Sequence, residues 1–284
     1  MATPEETRTI EIAMDIDAAV SRVWQALTDA EQLRRWFPLS AEVDPHVGGS
    51  IRLTWGPELD ARNAIIAWES EHYLQTTWFH PTDDEPDRAA GAPGERAFRV
   101  DPAARGKLVL EFFLTSKGER TELRMVHSGF SRSPEWDEEY EAHSRGWTFE
   151  LRSLSNYLEH HAGRDRHVAW VRRPIRDSRE RAWSRLMSDR ALLGDGDLTG
   201  LRPGDRYSVT TVHGDRLEGR VILFEPPTEF AGTVDGLDHA LVRTGVERYV
   251  RDLEATFWLS TWGDPERAEH FRARWTETLS TLVG

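Results

Sequence analysis

Chemistry in this chain is offered by polar side chains set among apolar ones. His127 follows Leu123 and Met125 at alternate positions, which puts the imidazole on one strand face with two core residues. His143 stands four residues before Trp147 on an apolar helical stripe, about one turn away. A buried imidazole needs a hydrogen-bond partner, which a ligand or another side chain supplies. Its titration near neutral pH also suits it to proton transfer. Arg124 and Arg99 are chemically suited to holding an acidic ligand group, and Arg243 and Glu254, beside Trp258 and Trp262, are the corresponding candidates later in the chain. No acid/base pair of recognisable spacing accompanies them, so no catalytic residue is assigned.

Sharper motifs fail on their own chemistry. The run Asp195-Gly196-Asp197-Leu198-Thr199-Gly200 begins like a calcium loop, but its twelfth position is Arg206 where a bidentate glutamate is needed. His160 and His161 are adjacent, and a helix splays such a pair about 100° apart, too far for two ligands of one metal. There is no phosphate loop, no Gly-x-Ser-x-Gly elbow and no His-Glu-x-x-His. Without cysteine the chain has no thiol nucleophile, disulfide or thiolate metal site. The expectation is no metal and no cofactor. A formal charge of −13 repels phosphate backbones, so nucleic acid is not an expected partner. No stretch approaches the ~20 apolar residues of a membrane span, and Met1 to Glu6 has no apolar signal core. A cytoplasmic protein without membrane insertion is expected.

The elements that must position these residues are readable from periodicity. Ile10, Ile12 and Met14 alternate as a strand, and Asp17 is a plausible N-cap for a helix with Val20, Val23, Trp24 and Leu27 on one face. Leu33, Trp36 and Phe37 form a short second helix that Pro38 stops. Strands follow with Ile51, Leu53 and Trp55; with Ala64, Ile66 and Trp68; with Leu74, Thr76 and Trp78; with Leu108, Leu110, Phe112 and Leu114; and with Leu123, Met125 and His127. A helix from about Pro134 to Leu158 carries Tyr140, His143, Trp147, Leu151, Leu154 and Leu158 down one face. Residues 82–106, rich in Asp, Pro, Gly and Ala, read as a long surface loop.

The pattern then recurs. Asp15 to Leu33 matches Pro174 to Leu192 at an offset of 159, Trp68-Glu69 matches Phe224-Glu225 at 156, and Trp147-Thr148 matches Trp275-Thr276 at 128. The drop of 28 (156 − 128) falls where the first copy has its extra loop. The chain is therefore expected to hold two domains of one kind, residues 1–162 and a more diverged 167–284.

Val23-Trp24, Ala26-Leu27-Thr28-Asp29-Ala30-Glu31, Leu33 and Trp36-Phe37, then Gly48-Gly49-Ser50, then Gly146-Trp147, Leu151, Leu154 and Tyr157-Leu158 resemble the START-like SRPBCC superfamily. The nearest branch is similar to homologues of the activator of the heat-shock-ninety ATPase. The resemblance covers nearly all of residues 7–160 and, through the duplication, reaches the second copy. It implies an α+β fold of two tandem helix-grip domains, each a curved antiparallel sheet wrapped around a long C-terminal helix. It further implies a cavity between sheet and helix for a hydrophobic or polyaromatic small molecule, in natural-product binding, biosynthesis or self-resistance. Pockets of that kind run to roughly 300–1,000 Å³. The ligand-binding candidates are Trp55, Trp68, Trp78, Phe112, Arg124, His127, His143, Trp147 and Leu151. Two other readings stay open: an enzyme resembling polyketide aromatase/cyclases, and a co-chaperone-like module whose protein partner meets an exposed Trp136 and the acidic face around it.

Overall fold

A computed structural model describes residues 7–56, 60–78, 108–249 and 252–283. The expected loop at 82–106, with Arg99, lies outside the described residues. The chain divides into two compact units, residues 1–163 and 164–284.

In the first unit β1 (Thr7–Ile16) leads into α1 (Val20–Thr28) and α2 (Ala30–Leu33). The meander β2 (Ser40–Val43), β3 (Ser50–Thr54), β4 (Asp60–Glu69), β5 (Tyr73–Thr77), β6 (Val109–Lys117) and β7 (Arg120–Ser131) follows. After a 3₁₀ turn, Pro134–Trp136, α3 runs Asp137–Asn156 and ends in a π-helical turn, Tyr157–His161. The sheet order β1-β7-β6-β5-β4-β3-β2 is a simple antiparallel meander with the first strand returned to its far edge beside β7. Trp147, Leu151, Leu154 and Leu158 are buried on α3, as a stripe at 3.6-residue spacing requires. Asp17 does not cap α1. Ala19 occupies that position with no side-chain hydrogen bond, while Asp29 caps α2 by accepting from the Gln32 amide at 2.9 Å.

The second unit repeats the plan. It holds β8 (Arg166–Pro174), α4 (Arg179–Leu186), β9 (Asp195–Gly196), β10 (Arg206–Thr210), β11 (Arg216–Glu225), β12 (Glu229–Val234), β13 (Ala240–Tyr249), β14 (Asp252–Trp262) and α5 (Pro265–Val283). Its order, β8-β14-β13-β12-β11-β10-β9, is the first unit's order strand for strand. The two sheets are tandem helix grips. Asp195 and Gly196, the start of the apparent calcium loop, pair with Thr210 and Val209 as a short edge strand.

β4 departs from its expected phase. Its inward residues are Ala61, Asn63 and Ile65, while Ile66 is 45% exposed. A bulge between Ile65 and Ala67 then shifts the register, so that Trp68 pairs with Leu74. One extra residue reverses which side chains face inward, and a constant alternation through Ala64, Ile66 and Trp68 cannot anticipate it.

Candidate functional site

Between the sheet of the first unit and its helices lies an apolar cavity of about 30 Å³. That volume suits about two water molecules and is well below the several hundred Å³ expected of a ligand-filled grip. Rings form much of its wall: Trp36 and Phe37 from the turn after α2, Trp78 from the end of β5, Phe112 from β6 and Trp147 from α3. Phe37 lies 5.3 Å from Trp147 and 6.4 Å from Trp78, Trp78 lies 5.3 Å from Trp147, and Phe112 meets Trp147 edge-on at 6.0 Å. Offset and edge-to-face contacts of this kind contribute about 0.5–1.5 kcal/mol each beyond their area.

Two indole-to-imidazole hydrogen bonds set this wall. Trp147 Nε1 donates to His127 Nδ1 at 3.0 Å, and Trp78 Nε1 donates to His143 Nε2 at 3.1 Å. The accepting nitrogens are therefore unprotonated. His143 keeps its proton on Nδ1 and donates it to the Glu139 carbonyl at 2.9 Å. His127 carries its proton on Nε2, a fully buried nitrogen with no hydrogen-bond partner among the described residues. Burial first, and the neighbouring His143 second, hold the His127 pKa well below the ordinary imidazole value. The two rings stand 5.2 Å apart, with Phe130 4.6 Å from His127 and 5.3 Å from His143.

Of the sequence-derived candidates, Trp78, Phe112 and Trp147 line the cavity, and His127 and His143 stand behind its indoles. Leu151 is buried in the core. Trp55 is half-buried beyond the end of β3 and meets Phe37 edge-on at 5.0 Å. Trp68 is half-buried and packs its edge on Trp24 at 5.1 Å. Arg124 points away from the cavity. Leu123, Met125 and His127 face inward, so period-2 alternation turns Arg124 to the other face, where it lies 3.9 Å over Phe113 and 3.2 Å from Glu11. Trp136 is buried, 6.3 Å from Phe130, and offers no exposed contact for a partner.

Periodicity found the strand walls but did not assign Trp36, Phe37, Asn63 or Thr76 to the site. Trp36 and Phe37 were legible as apolar residues and nothing more. Asn63 lay one residue off the phase read for β4. Among the described residues no cluster of three or more His, Cys, Asp or Glu is arranged to hold a metal ion.

In the second unit other side chains stand at the corresponding positions. Ile10 pairs with His127 as Ala169 pairs with Leu259, so Leu259 stands at the His127 position. Ile51 pairs with Asn63 as Tyr207 pairs with Gly219, which puts Tyr207 in the place of Ile51. The offset of 128 that joins Trp147 to Trp275 sets Phe271 against His143. Trp275 stacks on Phe257 at 3.7 Å, and Tyr207 donates to the Thr233 carbonyl at 2.7 Å. Trp258, Trp262, Arg243 and Glu254 alternate out of phase with Phe257 and Leu259 and lie on the sheet face away from α5. Arg243 is committed there to the buried Glu229 and to Glu247.

Residues 17–159 match the family of the Activator of Hsp90 ATPase homolog 1-like protein. The chain belongs to that family. The match covers the first unit from α1 to the π-helical turn, so the aromatic cavity lies inside the Activator of Hsp90 ATPase homolog 1-like domain. No curated protein matches the sequence. Among solved structures, the Aha1 dimer from Colwellia psychrerythraea is 18% identical over 55% of this chain and 99% of that chain, with a TM-score of 0.43. DynU16, from the dynemicin biosynthetic locus, is 18% identical over 96% of this chain and 97% of its own, with a TM-score of 0.40. The di-domain ARO/CYC BexL, from the BE-7585A biosynthetic pathway, is 12% identical over 96% and 94%, with a TM-score of 0.42. Among the described residues no helix is long and apolar enough to cross a membrane.

Proposed function

We propose that the first unit binds a hydrophobic, ring-bearing small molecule between its sheet and α3, and that the second unit is a filled copy without a guest of its own. The reading rests on one contrast. The first unit keeps an aromatic-walled cavity, whereas Tyr207 and the Phe257–Trp275 stack occupy the corresponding space in the second. A ring needs more than 30 Å³, so a wall must move. Trp36, Trp78 and Trp147 are each tied by an indole hydrogen bond, Trp36 to the Ala26 carbonyl at 2.8 Å. Phe112 is set in a central strand. Phe37 belongs to the turn after α2 and packs on Trp36, Trp55, Trp78 and Trp147 through ring contacts; a shift of this turn is the movement that would admit the guest.

The aromatase/cyclase reading requires a base within reach of the guest, and both imidazoles already accept indole protons. The co-chaperone reading loses Trp136 as its contact. Native mass spectrometry of the protein purified from its own organism, beside denatured extracts, is the direct test. A co-purifying apolar molecule is expected. An empty protein with no thermal shift across lipids and polycyclic aromatics would end the proposal.

A further inference from the structure

We propose that Thr76 and Asn63 form a polar anchor inside the cavity, and that the guest is an uncharged aromatic molecule carrying a hydroxyl or carbonyl oxygen. This rests on the binding function proposed above and names the ligand class for the same site. Among the described residues the two are the polar members of an otherwise apolar lining. Thr76 is 3% exposed, and its hydroxyl makes no hydrogen bond to any described residue. Leaving a buried hydroxyl unmatched is unfavourable, and valine fills nearly the same volume in a strand without that penalty. Packing alone therefore gives no reason for threonine here. A guest oxygen does, because a hydroxyl both donates and accepts.

Asn63 is placed to act with it. Thr76 pairs with Ile65, so Asn63, two residues earlier on the same face of β4, is its diagonal neighbour across β4 and β5. The Asn63 Nδ2 donates to the Ile51 carbonyl at 3.3 Å, which holds the amide against the wall. Among the described residues no charged side chain lines the cavity, and against those residues a carboxylate or ammonium guest would be buried without a counter-charge. The three wall indoles are committed to the Ala26 carbonyl, His143 and His127, which leaves the Thr76 hydroxyl, beside Asn63, to read the guest's polar atom.

The second unit supplies the internal control. Asn63 corresponds to Gly219, and Thr76, through the pairs Ile65–Thr76 and Val221–Gly232, corresponds to Gly232. A Cβ on Gly232 would lie 2.6 Å from the Tyr207 ring, so Tyr207 occupies the space over that glycine. The polar pair is lost where the Tyr207 ring stands.

Phenol and toluene, nearly equal in shape, separate the possibilities. A wholly apolar cavity favours toluene, since phenol must shed the water on its hydroxyl. A polar anchor reverses the order. Titration of the ¹⁵N-labelled full chain, read at the indole N–H signals of Trp78 and Trp147, is expected to show phenol binding more tightly than toluene. Thr76→Val should weaken phenol about five- to tenfold, as expected for one hydrogen bond, and leave toluene unchanged, while Thr76→Ser keeps the preference for phenol. Toluene binding more tightly to the wild type, or phenol indifferent to Thr76→Val, overturns the anchor and leaves the binding function standing. If neither probe moves either signal, the binding function falls and the anchor with it. Should Thr76→Val fail to fold, the order of the two probes on the wild type decides alone.

Discussion

Trp147 and Trp275 hold equivalent places on the two long helices, yet only Trp147 has an acceptor for its indole proton. In the first unit that acceptor is His127 Nδ1 at 3.0 Å. In the second, Leu259 stands at the histidine's position, and the buried Trp275 Nε1 has no partner among the described residues. Replacing each tryptophan by phenylalanine removes the same atoms, so the difference between the variants isolates the hydrogen bond. Trp147→Phe is expected to cost about 1–3 kcal/mol more than Trp275→Phe in urea unfolding, because it leaves His127 Nδ1 buried and unsatisfied whereas Trp275→Phe removes a donor already unsatisfied. His127 makes a second prediction. Its folded-state pKa lies well below the ordinary value of 6.5, so below pH 6.5 the unfolded chain takes up a proton that the folded chain refuses. The stability tied to neutral His127 is complete above pH 6.5. It falls with acidification, by up to about 1.4 kcal/mol for each pH unit. His127→Leu, which copies Leu259, should flatten the stability profile between pH 6.5 and 5 by up to that slope. An unchanged slope would mean that His127 is protonated in the folded protein.

At the scale of elements, the strands that face the cavity were readable wherever their alternation was uninterrupted. β5, β6 and β7 bury the expected Leu74, Thr76 and Trp78, Leu110 and Phe112, and Leu123, Met125 and His127. β4 was misread because its bulge adds a residue, and a bulge leaves no mark on a hydrophobic pattern. The equivalent strand in the second unit carries its irregularity between Val221 and Leu223, opposite Gly232 and Ala231, so the bulge belongs to the duplicated plan. Gly232 is where close approach matters in that unit. Gly232→Ala would press a methyl group to 2.6 Å from the Tyr207 ring. It is expected to lower stability by about 1–3 kcal/mol, measured by chemical denaturation. Adding Tyr207→Leu should recover part of the loss by vacating that space. A neutral Gly232→Ala would mean that the Tyr207 ring moves aside at little cost.

For the whole molecule, the proposed function puts the guest in one copy of the duplicated plan, and the expected stoichiometry is one guest per chain. Native mass spectrometry should resolve a single added mass, and two added masses would mean that the second unit also opens. The sequence by itself determined the duplication and, apart from β2, β4 and the end of α2, the order of the first unit's strands and helices and their inward stripes, because periodicity and internal repetition are local or pairwise properties of the chain. It also supplied the residues of the two Trp–His pairs, though not the pairs: Trp78 lies 65 residues from His143, and alternation cannot say which side chains meet across a sheet and a helix. Only the tertiary structure decided that Arg124 turns outward, that Trp136 is buried, that Asn63 rather than Ala64 faces the cavity, and that Tyr207 stands over Gly232. Each depends on volume and on register between segments far apart in sequence. A tyrosine at position 207 and a glycine at 232 acquire their meaning only when the two are folded against each other.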